Sequence, residues 1–326
     1  MQRIGVLGVG HFGKYHLKAL KEIQGFDLVG FFDIDKEVSK IVTAEYGIPS
    51  FPSFEALLAK VDVVDIVIPT VSHFECAVEA LKKQKHLFIE KPVTNSVEDA
   101  ENLLKLSEEA SVKVQVGHIE RFNPAFLAAV PHIQNPMFIE IHRLQPFTNR
   151  STDVSVILNL MIHDIDIVLS IVNSNIKRIS ASGIKVVTNT PDLANARLEF
   201  DNGCVANITS SRISLNNLRR SRFFQKDTSI TVDFLNKSTE IIRMRNLGDD
   251  NNYQLFENSF DGLDSPKELF AEKPKIFPNN AIKDELIAFL KSIEENSKPL
   301  VTLDDGVKAL RVAHEIIEKI KLSNEY

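Results

Sequence analysis

The stretch Leu87-Phe88-Ile89 runs into Glu90-Lys91-Pro92. A charge pair at the end of an apolar run occupies a position that normally stays apolar. Pro92 fixes the turn there, and the Lys91–Pro92 bond is expected to be cis. An amine withdrawn from water beside a positive charge gives up its proton readily, which suits acid–base work at a reacting hydroxyl. The plainer alternative is a surface ion pair. Farther along, Asn159 and His163 stand four residues apart, so a helix would put both on one face. A histidine there can accept or donate a proton, whereas an amide can orient a hydroxyl but cannot take its proton. A core histidine is the alternative for His163.

The third constellation is Gly8-x-Gly10-x-x-Gly13, after the apolar run Ile4–Leu7 and before a helical pattern that opens at Lys14. In that order, strand, turn and helix bind a dinucleotide pyrophosphate. Gly8 permits the tight turn, Gly10 admits the phosphates to the backbone, and Gly13 lets helix and strand pack closely. His11 and Phe12 lie on the same turn and are expected to line it. A second strand, Asp27–Phe32, ends in Asp33, twenty residues after Gly13. A carboxylate there accepts from the ribose hydroxyls and repels a 2′-phosphate. Ile34 and Asp35 follow with no arginine, which favours NAD over NADP. A surface Asp that only caps the next helix is the alternative. Pro69-Thr70-Val71-Ser72-His73 follows another apolar run, Val63–Ile68, and is expected along the cofactor near the nicotinamide ribose. Alternatively Ser72 is a helix cap and His73 an exposed first-turn residue.

These residues need a scaffold. The first third alternates strand and helix without hairpin signals, which predicts a parallel sheet covered on both faces. The predicted elements are helices at 36–46, 54–60, 72–83 and 97–110, and strands at 63–68, 87–89 and 112–116. From Met137 the pattern changes. A half-exposed strand at 137–144 and a helix from about Val154 to Val172 precede strands at 176–187, 193–200, 204–211, 222–225, 229–234 and 239–243. That predicts an α+β domain with an open-faced, mostly antiparallel sheet. Residues 246–278 read as a long irregular insertion, and two helices, 281–295 and 304–322, close the chain. The expected division is a Rossmann domain over 1–122 and a second domain over 123–326, with the last helices returning toward the first.

Composition excludes other classes. Of 326 residues 44% are hydrophobic and 25% charged, with a net charge of −6, which gives no basis for nucleic acid or a membrane as partner. Two cysteines are too few for a disulfide framework, and neither stands at metal-ligand spacing, so no metal is expected. No signal-peptide pattern opens the sequence and no apolar stretch approaches a membrane span; a cytoplasmic location is the expectation.

Taken together, Gly8-x-Gly10-x-x-Gly13, Asp33, Pro69-Thr70-x-x-His73 and Glu90-Lys91-Pro92 resemble the Gfo/Idh/MocA family of NAD(P)-dependent oxidoreductases. The resemblance implies a Rossmann domain followed by an open sheet that buries one face in a homodimer or homotetramer. It makes Lys91 the catalytic lysine and puts Pro69, Thr70, His73, Glu90 and Pro92 along the cofactor. His163 matches the family histidine as a catalytic partner, and Asn159 stands where an Asp is usual. Substrate contacts are expected from Asn159, Asp164, Arg121 and Asn123. The stretches Gly117–Pro124 and Asp153–Val156 are similar to the subgroup that oxidises the 3-hydroxyl of UDP-N-acetylglucosamine. Arg212, Arg219, Arg220 and Arg222 suit a diphosphate, or else a solvated or subunit-facing strand. A free sugar or inositol as substrate, or a non-catalytic NAD-binding sensor favoured by Asn159, are the other readings.

Overall fold

The opening strand β1 (Gln2–Leu7) has four consecutive buried residues, and in the computed structural model it lies inside a five-stranded parallel sheet. The structure describes residues 1–148, 154–246 and 267–323. Strands β2 (Phe26–Phe32), β3 (Val63–Ile66), β4 (His86–Glu90) and β5 (Val114–Gly117) complete the sheet in the order β2-β1-β3-β4-β5. The order reverses at β1, and this is where an open parallel sheet forms its ligand crevice. Helices α1 (His11–Lys21), α2 (Lys36–Tyr46), α3 (Phe54–Leu58), α4 (His73–Lys82) and α5 (Val97–Ala110) connect the strands. Asp35 caps α2 by accepting from Glu37 and Val38, and Ser96 caps α5 by accepting from Asp99.

The second sheet has eight strands, β6 (Phe138–Leu144), β7 (Ile176–Ile184), β8 (Leu193–Phe200), β9 (Val205–Ser211), β10 (Leu218–Gln225), β11 (Thr228–Asp233), β12 (Ser238–Asn246) and β13 (Lys267–Glu272). Their order is β13-β12-β11-β10-β6-β9-β8-β7. All pairings are antiparallel except β6 with β9. Period-2 burial is clear on β6, where Ile139, Ile141 and Arg143 point inward. Helices α6 (Pro124–Ala129) and α7 (Ile162–Ile171) belong to this part, and α8 (Ala281–Glu294) and α9 (Leu303–Ser323) end the chain.

The chain divides into two units, 1–119 with 280–311, and 120–279 with 312–326. Residues 280–311, expected to follow the second domain and return toward the first, belong to the first unit. The reason is burial, since Leu286, Phe289 and Leu290 of α8 join Leu17, Leu20 and Phe88 in one core. Two expectations change. A strand, β13, lies within the stretch read as irregular, and it pairs with β12 from Ile241↔Glu272 to Asn246↔Lys267. The predicted helix at 154–172 begins with a π-helical turn, Ile157–Met161, before α7. Among the described residues no helix is long and apolar enough to cross a membrane.

Candidate functional site

In the first unit, the residues assigned to the cofactor from the sequence, His73 apart, fall at or just beyond the carboxyl end of a strand. The turn Gly8–Gly10 and the first residues of α1, His11–Gly13, follow β1, Asp33 follows β2, Pro69 and Thr70 follow β3, and Glu90-Lys91-Pro92 closes β4. The glycines differ in what they permit. Gly8 has φ +90°, and a Cβ there would meet the Val67 carbonyl oxygen at 2.7 Å. A Cβ on Gly13 would run into the Gly8 carbonyl, whereas none of the described residues lies within 4 Å of one on Gly10. The turn is thus closed on the protein side and open at Gly10, which is the cradle that a pyrophosphate needs at a helix N-terminus. His11 and Phe12 are exposed on the same turn, with their rings edge to face. Asp33 accepts the N–H of Val9 at 2.8 Å and that of Asp35 at 2.9 Å. These residues fit a bound dinucleotide.

Two of the residues expected along the cofactor turn into the protein instead. His73 is 1% exposed, with Nδ1 2.9 Å from the Pro92 carbonyl oxygen and Nε2 2.8 Å from that of Ile68. It is an internal strut between two strand-end turns rather than a cofactor contact. Burial pushes its pKa down, and the two carbonyls oppose that without overcoming it. The Glu90 carboxylate is likewise turned inward. Its Oε2 accepts the backbone N–H of Lys91 at 3.1 Å and its Oε1 lies 3.2 Å from Nε2 of His16. Lys91 is half-buried, and its bond to Pro92 is cis.

Sequence reasoning missed the polar cluster behind that turn. His16 Nδ1 pairs with Oδ2 of Asp65 at 2.9 Å, and ligand atoms of His16, Glu90 and Glu285 all lie within 4.8 Å of one another. His16, Asp65 and Glu285 are each 0% exposed. Burial works against a charge on His16, and the facing Asp65 and Glu90 carboxylates raise its pKa well above the usual range in spite of it. Burial raises Glu285 well above its ordinary value, and the Glu90 charge adds to this. A signal was available, because Asp65 interrupts the apolar run Val63-Val64-Asp65-Ile66. Glu285, 195 residues beyond Glu90, carried none.

In the second unit, Asn159 sits in the π-helical turn and His163 in the first turn of α7. Both are partly exposed, and His163 is the only residue from Met161 to Val168 that is not buried. The π-turn alters the spacing on which a shared α-helical face was predicted; such turns are frequent at functional sites. The other substrate contacts drawn from the sequence are corrected. Arg121 forks onto Asp166 at 2.8 and 2.6 Å. Asn123 caps α6 and donates to Glu120 and to the Phe234 carbonyl. Asp164 is bound by the Arg143 guanidinium through Nε at 2.9 Å and Nη2 at 2.8 Å, while Nη1 of Arg143 reaches Glu120 at 2.8 Å. Burial disfavours the Arg143 charge, and the two carboxylates more than restore it. These groups hold the second unit together.

The arginine run is also dispersed. Arg212 is 2% exposed and clasps the Val154 and Pro191 carbonyls. Arg220 and Arg222 pair with Asp233 and Glu140. Alternation on β10 puts Arg219 on the same side as the buried Ser221 and Phe223, beside Glu120 at 3.7 Å. Of the stretch 153–156, Asp153 lies outside the described residues.

Fold and site define an oxidoreductase with a dinucleotide-binding Rossmann unit. Residues 2–118 match the model of the oxidoreductase family with an NAD-binding Rossmann fold, and residues 117–231 match the GFO/IDH/MocA C-terminal domain. The chain belongs to the GFO/IDH/MocA family. It is 39% identical over 244 residues to UDP-N-acetylglucosamine 3-dehydrogenase of Acidithiobacillus ferrooxidans, covering 73% of this chain and 76% of that protein. A solved structure of that enzyme aligns with a TM-score of 0.89 at 33% identity, covering 98% of each chain. The chain is also 30% identical over 233 residues to scyllo-inositol 2-dehydrogenase (NAD(+)) of Bacillus subtilis, covering 65% of this chain and 68% of that one.

Proposed function

We propose that the chain oxidises a secondary alcohol of a sugar, with a nucleotide sugar as substrate and the 3-hydroxyl of UDP-N-acetylglucosamine as the reacting group. The observation that carries the reaction class is Lys91 at the carboxyl end of β4, on the strand-end edge that also carries the glycine turn and Asp33. Likeness to the Acidithiobacillus ferrooxidans enzyme supports the substrate. In the second unit Arg219, its side chain 41% exposed, offers a guanidinium suited to a diphosphate.

Bound NAD supplies the hydride acceptor. Asp33 orients the adenosine ribose and disfavours NADP. Lys91 or His163 takes the hydroxyl proton as the hydride leaves carbon, and Asn159 orients the hydroxyl. Acid–base assistance of this kind contributes about 10²–10⁴-fold. The outward face of the eight-stranded sheet, carrying Glu140, Arg220 and Arg222, is the proposed homo-oligomer contact, and two cysteines without a disulfide suit a reducing cytoplasm.

The test follows NADH formation with UDP-N-acetylglucosamine, free glucose, scyllo-inositol and myo-inositol. Turnover of the nucleotide sugar, with the 3-keto product identified by mass spectrometry and lost in Lys91→Met, is the expected result. Oxidation of inositol alone would move the substrate to the inositol class, which likeness to the Bacillus subtilis enzyme favours. NAD binding without turnover of any of the four would support the sensor reading.

A further inference from the structure

A chain of polar contacts leads from the dinucleotide-binding helix to Lys91. It starts at Asp65 on β3, whose Oδ2 is 2.9 Å from Nδ1 of His16, three residues after Gly13 on α1. Nε2 of His16 lies 3.2 Å from Oε1 of Glu90 at the end of β4. Oε2 of Glu90 accepts the backbone N–H of Lys91 at 3.1 Å. We propose that His16 is a positioning residue for Lys91: anchored by Asp65, it fixes the Glu90 carboxylate, and that carboxylate holds the turn from which the amine projects. The inference rests on the proposed proton-transfer role of Lys91 and deepens it.

Three observations carry the proposal. The imidazole is 0% exposed, so it is not there to meet solvent. One Glu90 oxygen accepts the Lys91 amide N–H, and the other faces the imidazole at an ion-pair distance of 3.2 Å without a hydrogen bond, so charge attraction turns it toward His16. The groups facing His16 come from every strand or helix that brings a charge against it, Asp65 from β3, Glu90 from β4 and Glu285 from α8. Among the described residues neither carboxylate oxygen of Glu285 has a hydrogen-bond partner, so a negative charge there would rest on the His16 imidazolium alone while facing the Glu90 charge. Burial and the Glu90 charge favour the neutral acid at Glu285, which leaves the imidazolium to Asp65 and Glu90. An imidazolium between two carboxylates is a rigid unit, because loss of either contact strands a buried charge. The same His16, Glu90 and Glu285 atoms could gather around a cation, and the test separates that outcome.

The experiment uses the full-length protein and four variants, His16→Gln, Asp65→Asn, Lys91→Met and the pair His16→Gln with Lys91→Met. Competitive acetylation of lysines, read by mass spectrometry, compares the Lys91 amine with Lys105 on α5 in the same sample, with no need for turnover. NAD affinity is measured by titration, and kcat with NAD and UDP-N-acetylglucosamine. In folded His16→Gln the Lys91 labelling ratio is expected to change by about threefold or more, and kcat to fall by about tenfold while NAD affinity stays within about threefold. Asp65→Asn should show a smaller change of the same kind, and it serves alone if His16→Gln does not fold. In the pair, His16→Gln should add nothing to the loss caused by Lys91→Met. An unchanged labelling ratio in a folded variant overturns the proposal, as does a parallel loss of kcat and NAD affinity. A metal ion at about one per chain, released on replacing Glu285, would overturn it in favour of a cation site. Turnover that survives Lys91→Met removes the parent reading instead, and leaves the labelling ratio to decide the positioning role.

Discussion

Asp33 accepts the N–H of Val9 at 2.8 Å, so the carboxylate that ends β2 is fastened to the middle of the glycine turn that ends β1. One side chain thereby fixes the cradle and presents the remaining acceptor sites to a ribose. Asp33→Ala removes both roles. KM for NAD is expected to rise by about tenfold or more, with a smaller change for NADP, because the charge that repels a 2′-phosphate is gone. Steady-state kinetics with each cofactor check this.

The glycine turn separates folding from binding. A Cβ on Gly13 meets backbone, whereas one on Gly10 meets none of the described residues within 4 Å. Gly13→Ala should therefore destabilise the protein by about 1–3 kcal/mol through forced overlap. Gly10→Ala should melt within about 0.5 kcal/mol of the parent and yet bind NAD at least about tenfold more weakly. Urea unfolding and NAD titration of the two variants distinguish these outcomes.

Asp192 predicts an acid-side stability loss. Its carboxylate is 0% exposed, and Oδ2 accepts the N–H groups of Val186, Val187 and Thr188 at 2.7–2.9 Å. Burial alone would raise its pKa, and these donors bring it down to about 2. With the folded value depressed, the stabilisation is complete above the unfolded value of about 4 and is lost as pH falls through about 2. Urea unfolding between pH 2 and 6 should show this slope, and Asp192→Asn should flatten it at a cost of about 1–3 kcal/mol at neutral pH.

Glu285 predicts the opposite trend. Its folded pKa is raised by burial and by the Glu90 charge, so the folded state binds the proton more tightly than the unfolded chain does. Stability should decline as pH rises above the unfolded value of about 4.3 toward the folded one. Glu285→Gln keeps the shape and removes the ionisation. Its melting temperature should gain on the parent as pH is raised from 5 to 9, and thermal unfolding across that range tests it.

Arg143 holds two buried carboxylates, those of Asp164 and Glu120, with side chains 4%, 2% and 8% exposed. Arg143→Met leaves Asp164 without its paired cation and Glu120 with only Arg219 at 3.7 Å, and a loss of about 3–5 kcal/mol is expected. Arg143→Lys should recover only part of it, since an ammonium cannot fork onto Asp164 while reaching Glu120. Denaturant unfolding gives both numbers.

The strand-end turns of the first unit were legible because their signals are local. Gly8, Gly10 and Gly13 report backbone demands at their own positions, Asp33 follows an apolar strand, and Lys91 breaks an apolar run. Alternation of strand and helix over the first 119 residues was readable for the same reason. β13 was not, because its pairing with β12 is set by a neighbour and not by its own composition. Arg121, Asn123 and Asp164 carry residue types that suit a sugar, and nothing in their spacing reveals that Asp166, Glu120 and Arg143 had already engaged them.

The sequence by itself determined the dinucleotide turn, the parallel sheet, the open second sheet and the family. These depend on the period of apolar residues and on glycines whose role is written in the backbone. Only the tertiary structure decided that His73 and Glu90 turn inward, and that His16, Asp65 and Glu285 stand behind Lys91. Partners for buried polar groups come from anywhere in the chain, and the need to satisfy each one within low-dielectric surroundings selects them only once the core has closed.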